Sequence, residues 1–412
     1  MEMVRIFGIP AALLIVAVIA NRLSRWTRVP DIIVLLVIGV LIGPLTHWAN
    51  PRHLQDMTQI LGMLALILIL FEGGLELRLK ECIRYSPGGV LLAFVSFGFT
   101  VVLVGLVGRY ALHLSWLDGA ILGSVVGSTS AAVVLPAISQ IDAPDAVKIT
   151  LTLESSLGEI VAVLTVGTLV TLNAGGKVVE GLVSAFGHHV LIDVGLGIAV
   201  GVIWSKIWPL VASQPFSNAL NLGTVLGLYA VGRMAGGSGL LAELVFGLTL
   251  ANMPRSSDAA RKGEQMLAFH SELTFLVRSF FFVLLGMMAQ TVPRTYVLPI
   301  IGILASLILA RWLAVHATSW SVRDITKADI DSLVLMFPRG LITAVLALQV
   351  LDARGQQFFY LPAMAFTVVM FTNLFVVVAA VYTKKKSPSA VPAQVAGPPL
   401  ESAIVTDSES IS

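Results

Sequence analysis

A chain of 412 residues with 57% hydrophobic and only 12% charged side chains, at a mean hydropathy of +0.91, is too apolar for an ordinary soluble globule and reads as a polytopic membrane protein. Its formal net charge of +2, with basic residues scattered over short loops, excludes a nucleic-acid partner. The single cysteine, Cys82, excludes an internal disulfide and any cysteine metal cluster.

A window of about 20 residues, the length that crosses a hydrocarbon layer, picks out thirteen hydrophobic segments. They lie at approximately 6–22, 30–46, 58–78, 88–110, 118–139, 147–172, 182–205, 217–233, 238–253, 268–290, 295–320, 330–350 and 358–382. The first lacks a small-residue cleavage pattern after it and is read as a retained span. Residues 387–412, rich in Ser, Pro, Ala and Val with no amphipathic period, read as a disordered tail. With the N-terminus outside, 16 Lys and Arg fall on the cytoplasmic side and 7 outside, leaving Arg278, Arg311 and Arg339 inside spans. That bias predicts a multi-pass plasma-membrane protein with a cytoplasmic C-terminus.

The third and tenth spans each place a glycine after an apolar run, in FEGGLEL and VLLGMMA, and helix breakers interrupt the fifth and twelfth. Corresponding elements are seven spans apart, so the two copies are inverted in the membrane. Inverted repeats with broken helices at matching positions predict a transporter whose site lies where the breaks meet.

The fifth span carries Gly123, Gly127, Ser128, Thr129, Ser130 and Pro136, a mixture that favours an unwound segment lining a polar cavity or buried in protein. Its free carbonyls suit a cation. The sixth span holds two acids, Glu154 and Glu159, in LESSLGEIVAVL. With Asp142 as an N-cap and the helix starting near Ala143 or Pro144, Glu159 falls roughly 20–24 Å along the axis, near the bilayer midplane. Five positions apart, the two acids diverge by about 140° and need not form one dyad. Glu159 shares a face with Ser155, an oxygen pair suited to a hard monovalent cation. Glu154 lies over Gly158, which is expected to admit close approach of another helix. In the twelfth span, Pro338, Arg339 and Gly340 break the helix at similar depth.

The runs VPDIIVLLVIGVLIGP, LFEGGLEL, GSTSAAVV, ESSLGE, FFFVLLG, ARWLAVHATSW and PRGLITAVLAL, in that order over nearly all of residues 6–382, resemble the monovalent cation:proton antiporter superfamily on its sodium/proton exchanger side. The resemblance implies an all-α fold of about 13 transmembrane helices with inverted repeats and two crossed discontinuous helices. Within a transmembrane domain 1–386 it implies an interface part (about 6–78 and 217–290), a linker helix (about 182–205) and an ion-binding core (about 88–172 and 295–382), assembled as a homodimer in the lipid bilayer. Carried over by position, Glu159 stands at the ion- and proton-binding acid, Ser155 and Thr129 with Ser130 at the supporting oxygens, Glu154 at the structural glutamate with Arg311 as its partner, and Arg339 at the twelfth-span break. The chain departs from the family pattern in having Gly158-Glu159 for Asn-Asp and Thr129-Ser130-Ala131 for Thr-Asp-Pro.

The expectation is a secondary antiporter exchanging Na+ or K+ for H+ by competition at one buried carboxylate, electroneutral and working by alternating access. The alternative is a transport-inactive relative that senses ions or pH or serves as a scaffold, separable by cation flux in vesicles. No cofactor motif and no nucleophile with its base is present, so an enzyme is not expected. Glu72 and Glu243 read as helix-packing partners ahead of second proton sites, and Arg278 as snorkelling to the cytoplasmic interface or joining loop contacts. His188 and His189 lie near the external interface, and the other histidines lack metal-ligand spacing.

Overall fold

The computed structural model of the chain describes residues 2–27, 30–43, 51–76, 79–138, 144–171, 178–253, 257–288, 293–322 and 326–386. The expected tail at 387–412 and the expected cap Asp142 lie outside the described residues.

The described residues form α-helices and short 3-10 turns, with no strand. In chain order the α-helices are α1 (Glu2–Thr27), α2 (Asp31–Ile42), α3 (Pro51–Glu76), α4 (Leu79–Ala111), α5 (Trp116–Val125), α6 (Ala131–Ile138), α7 (Asp145–Thr171), α8 (Val178–Val211), α9 (Ser217–Met234), α10 (Leu240–Asn252), α11 (Ser257–Met287), α12 (Val297–Thr318), α13 (Lys327–Leu335), α14 (Leu341–Arg354) and α15 (Leu361–Lys386). Seven of them, α3, α4, α7, α8, α11, α12 and α15, carry stretches long and apolar enough to cross a membrane, and shorter apolar helices accompany them. The helix list therefore exceeds the thirteen predicted segments. The fifth is α5 plus α6, and the twelfth is α13 plus α14, each pair parted by five non-helical residues, 126–130 and 336–340.

Packing repeats itself at the predicted offset. With α1–α3 matched to α9–α11, α4 to α12, the pair α5/α6 to α13/α14, and α7 to α15, several contacts recur between matched elements. Thus α3 packs on α10 and α11 on α2; α4 on α5 and α7, and α12 on α13 and α15; α6 on α7, and α14 on α15. The two counterparts α4 and α12 pack on each other. The first and second halves also meet through α3 with α14 and α2 with α15.

The repeated glycines explain two of these contacts. A Cβ built on Gly39 of α2 would lie 2.7 Å from the Gly286 Cα of α11, and one on Gly74 of α3 would lie 3.0 Å from the Gly247 Cα of α10. Those are the same contact in the two repeats. Backbones approach this closely only where no side chain intervenes, the usual basis of tight packing between apolar helices. Gly286→Val is expected to lower stability by about 1–3 kcal/mol through overpacking, read as a fall in Tm in detergent. Gly98→Ala, where nothing lies within 4 Å of the added carbon, is the control expected to leave Tm unchanged.

Candidate ion-binding site

The outer ends of the first halves of both broken helices are capped locally. Ser115 accepts from the Asp118 amide at 3.1 Å to start α5. Thr326 and Asp329 form a reciprocal capping box at the start of α13, the Asp329 carboxylate accepting from the Thr326 amide at 2.7 Å. The ends that face each other across the breaks rely instead on side chains from elsewhere in the fold, and this is where the buried charges gather.

At the start of α6, the Ala131 amide donates to Glu159 Oε1 at 3.0 Å. A helix N-terminus carries partial positive charge, so a carboxylate belongs there. At the end of α5, Arg339 Nη1 donates to the Gly127 carbonyl at 3.0 Å and to the Thr129 hydroxyl at 3.4 Å. At the end of α13, Arg311 donates through Nε to the Leu333 carbonyl and through Nη2 to the Met336 carbonyl, both at 2.8 Å. Cations at helix C-termini complement the opposite end of the dipole. The fourth end, the start of α14, has at its N-cap Gly340, a residue with no side chain to cap it.

The breaks touch directly. The Ser130 amide donates to the Pro338 carbonyl at 2.8 Å. Gly340 is needed for this approach, because a Cβ there would lie 2.7 Å from the Ser130 Cβ. Proline at 338 supplies a free segment of backbone, since it cannot continue a helix or donate an amide.

Glu159 and Glu154 fall on different sides of α7, as their helical phase requires. Glu159 is 1% exposed and lies toward α6; its Oε2 has no hydrogen-bond partner among the described residues. The Ser130 hydroxyl faces the same carboxylate without an ordinary hydrogen bond of its own. Glu154 lies toward α12, where Oε1 accepts from the Thr129 hydroxyl at 2.7 Å and pairs with Arg311 Nη1 at 3.0 Å. Thus the site residues divide into two groups. Glu159 and Ser130 share one, and Glu154, Thr129, Arg311 and Arg339 form the other.

Two predicted residues sit differently from the reading of helical faces. The Ser155 hydroxyl donates to the Thr152 carbonyl at 3.1 Å, a bond within its own helix, so its lone pairs alone are available beside Glu159. Gly158 does not mediate a close helix approach, because a Cβ there would be 3.9 Å from the nearest atoms, those of Ser128 and Thr129. The unwound segment 126–130 stands off from α7 at that point, which leaves room for a side chain.

Sequence reading missed the support that α15 gives the second break. Thr372 accepts from the Arg339 amide at 2.9 Å, and Asn373 donates to the Arg339 carbonyl at 2.7 Å. The available signal was the adjacent Thr and Asn inside an otherwise apolar helix, a costly placement without a backbone partner. It also missed Asp193 on α8, whose carboxylate accepts from the Ser238 and Gly239 amides, both at 3.1 Å, where the chain enters α10. Elsewhere, the half-buried Glu72 bonds Ser271, and the buried His270 ring meets Asn221 at 2.7 Å.

On the side of Glu159 toward the α7 C-terminus, a cavity of about 440 Å3 is lined by Val163 and Thr168 of α7, Leu346 and Gln349 of α14, His189 of α8 and Arg233 of α9, among others.

Comparison with known proteins gives the site its setting. A family model described as sodium/hydrogen exchanger, transmembrane, matches residues 11–384. The chain is 26% identical over 370 residues to "Na(+)/H(+) antiporter 1" of Methanocaldococcus jannaschii, covering 85% of this chain and 84% of that protein. It is 27% identical over 255 residues to "K(+)/H(+) antiporter NhaP2" of Shewanella oneidensis, covering 60% of this chain and 44% of that longer protein. In three dimensions it is similar to the sodium proton antiporter MjNhaP1 of M. jannaschii at pH 8, with a TM-score of 0.76 and 21% identity over 92% of this chain and 96% of that one. At that identity the likeness speaks for the fold.

Proposed function

Because the chain belongs to the sodium/hydrogen exchanger family and is a multi-pass membrane protein, we propose that it is a secondary antiporter exchanging Na+ or K+ for H+ at the Glu159 carboxylate. The observation that carries this reading is the unpartnered Oε2 of a carboxylate 1% exposed at the meeting of two broken helices. A bare carboxylate oxygen in a low-dielectric interior costs several kcal/mol unless something cationic or a proton occupies it. One oxygen holds the Ala131 amide while the other receives its cargo, and a cation and a proton exclude each other there.

The charges beside the breaks favour a one-for-one exchange. Glu154 pairs with Arg311, Arg339 caps the Gly127 carbonyl and Glu159 holds the Ala131 amide, so the four charged groups sum to zero with Glu159 ionised. Adding either one monovalent cation or one proton brings the cluster to the same +1. Both loaded forms then cross the membrane with equal charge, and the exchange is electroneutral.

The division of labour follows the packing. The part built from α4–α7 and α12–α15 carries the site and moves against the part built from α1–α3 and α9–α11, with α8 linking them. Alternating exposure of Glu159 results. The protein works as a homodimer in the plasma membrane, N-terminus outside and C-terminus in the cytoplasm.

The test is proton movement in proteoliposomes, followed with an internal pH dye after additions of Na+, K+ or Li+, with and without a clamped membrane potential. Cation-driven proton movement at a rate indifferent to the clamp is expected. A rate that follows the imposed potential would contradict one-for-one exchange, and no response to any of the three cations would contradict antiport.

A further inference from the structure

Arg278 on α11 is not a snorkelling or loop-contact residue. Its side chain is 12% exposed, its Nη2 pairs with the Asp31 carboxylate in the first turn of α2 at 2.7 Å, and its Nη1 donates to the Ala132 carbonyl of α6 at 3.1 Å. The sequence of α6 explains why that carbonyl is open to it. In an α-helix the carbonyl of residue 132 accepts from the amide of residue 136, and residue 136 is proline, which has no amide hydrogen. A carbonyl left free at membrane depth must find another donor. Arg278 supplies it, so one guanidinium joins α2, α6 and α11.

The position of this contact matters. Ala132 follows Ala131, whose amide holds Glu159. The cavity lies on the other side of Glu159, against residues 163–168 of α7 and 346–349 of α14, whereas α6 precedes α7 and flanks its N-terminal half. A hollow lies toward the α7 C-terminal half, and on the α6 side a charged contact ties α2, α6 and α11 together.

We propose that Arg278, paired with Asp31, is a latch that closes the site on the α6 side. It grips the carbonyl freed by Pro136, keeps the Ala131 amide on Glu159, and releases when the site opens toward that side. The proposal rests on the exchange reading above, and Arg278 is a positioning residue that touches neither cation nor transferred proton. A hydrogen bond from a charged donor shifts a two-state population by on the order of 10-fold or more, strong enough to hold one state and weak enough to break in each cycle.

The test uses the full chain in a Cys82→Ser, Val134→Cys background, reconstituted and treated with a membrane-impermeant maleimide at each face. Val134 is fully buried on α6, two residues from the latched carbonyl. Arg278→Ala is expected to raise the labelling rate about 10-fold at the face opposite the cavity only. Pro136→Ala, which keeps both charges but restores an amide to compete for the Ala132 carbonyl, is expected to act in the same direction, and the two changes together to go no further than Arg278→Ala. A rate within about twofold of the parent in folded Arg278→Ala protein, or in Pro136→Ala should Arg278→Ala not fold, would overturn the latch. An equal rise at both faces, the mark of general loosening, would overturn it too. Cation-driven proton movement in the same vesicles separates the two readings. A parent that moves no protons fails the exchange reading, whereas a parent that exchanges, with labelling unmoved by either substitution, fails the latch alone.

Discussion

Glu159→Gln abolishes cation-driven proton movement, down to the level of empty vesicles, while leaving the protein folded and no less stable. The amide has nearly the shape of the carboxylate and retains an oxygen for the Ala131 amide, which now donates to Oε1 at 3.0 Å. It loses the charge that draws a cation into a site 1% exposed and the capacity to take up a proton. Solvating a cation there without the counter-charge costs several kcal/mol, and each ~1.4 kcal/mol is tenfold in affinity, so a loss of at least about 100-fold follows. Removing a buried carboxylate whose second oxygen lacks a partner relieves strain on the fold, and Tm in detergent should stay level or rise. Undiminished exchange in this variant would remove Glu159 from the mechanism. Lost exchange accompanied by a collapsed Tm would reassign it to structure.

Glu154→Gln and Arg311→Gln each destabilise the protein by about 3–5 kcal/mol, because either change strands a buried partner. Arg311→Gln is the worse of the two. Besides the 3.0 Å pair with Glu154, it removes the donors to the Leu333 and Met336 carbonyls at the end of α13. The double variant is therefore expected to be more stable than Arg311→Gln alone, recovering the part owed to the ion pair, yet less stable than the parent because the two carbonyls stay unfilled. Thermal unfolding of the parent, both singles and the double completes the cycle. Strictly additive losses would show that the two groups do not interact.

The sequence carried the fold unusually far because bilayer physics leaves few options. Only helices satisfy their own backbone in lipid, so apolar runs of about 20 residues locate most of the elements. The glycines after the third and tenth spans were legible as a repeat. Their partners Gly39 and Gly247 were not, since nothing in one chain's sequence says which helix a glycine will meet. The breaks were legible from Gly127 to Ser130 and from Pro338 to Gly340, but the identity of the groups filling the exposed backbone was not. Arg311, Arg339, Thr372 and Asn373 reach those carbonyls and amides from distant positions, and long-range pairing of this kind is set by tertiary packing. Helical phase correctly parted Glu154 from Glu159. It could not place the Ser155 hydroxyl, which turns to its own helix at Thr152, a common resort for Ser in apolar helices. Arg278 shows the same limit from the other direction. A lone arginine in an apolar span looks like a snorkelling charge until Pro136, 142 positions earlier, is seen to have freed a carbonyl for it.

The central claim is that a cation and a proton compete for one carboxylate. The most direct test is the apparent KM for the transported cation as a function of pH in proteoliposomes. Protonation of Glu159 removes the form that binds the cation, so acidification should raise KM by about tenfold per pH unit once the site is mostly protonated, with a plateau at alkaline pH and the maximal rate at saturating cation preserved. A KM that does not change with pH while the maximal rate falls would mean that proton and cation bind at separate groups, and would contradict the single-carboxylate account.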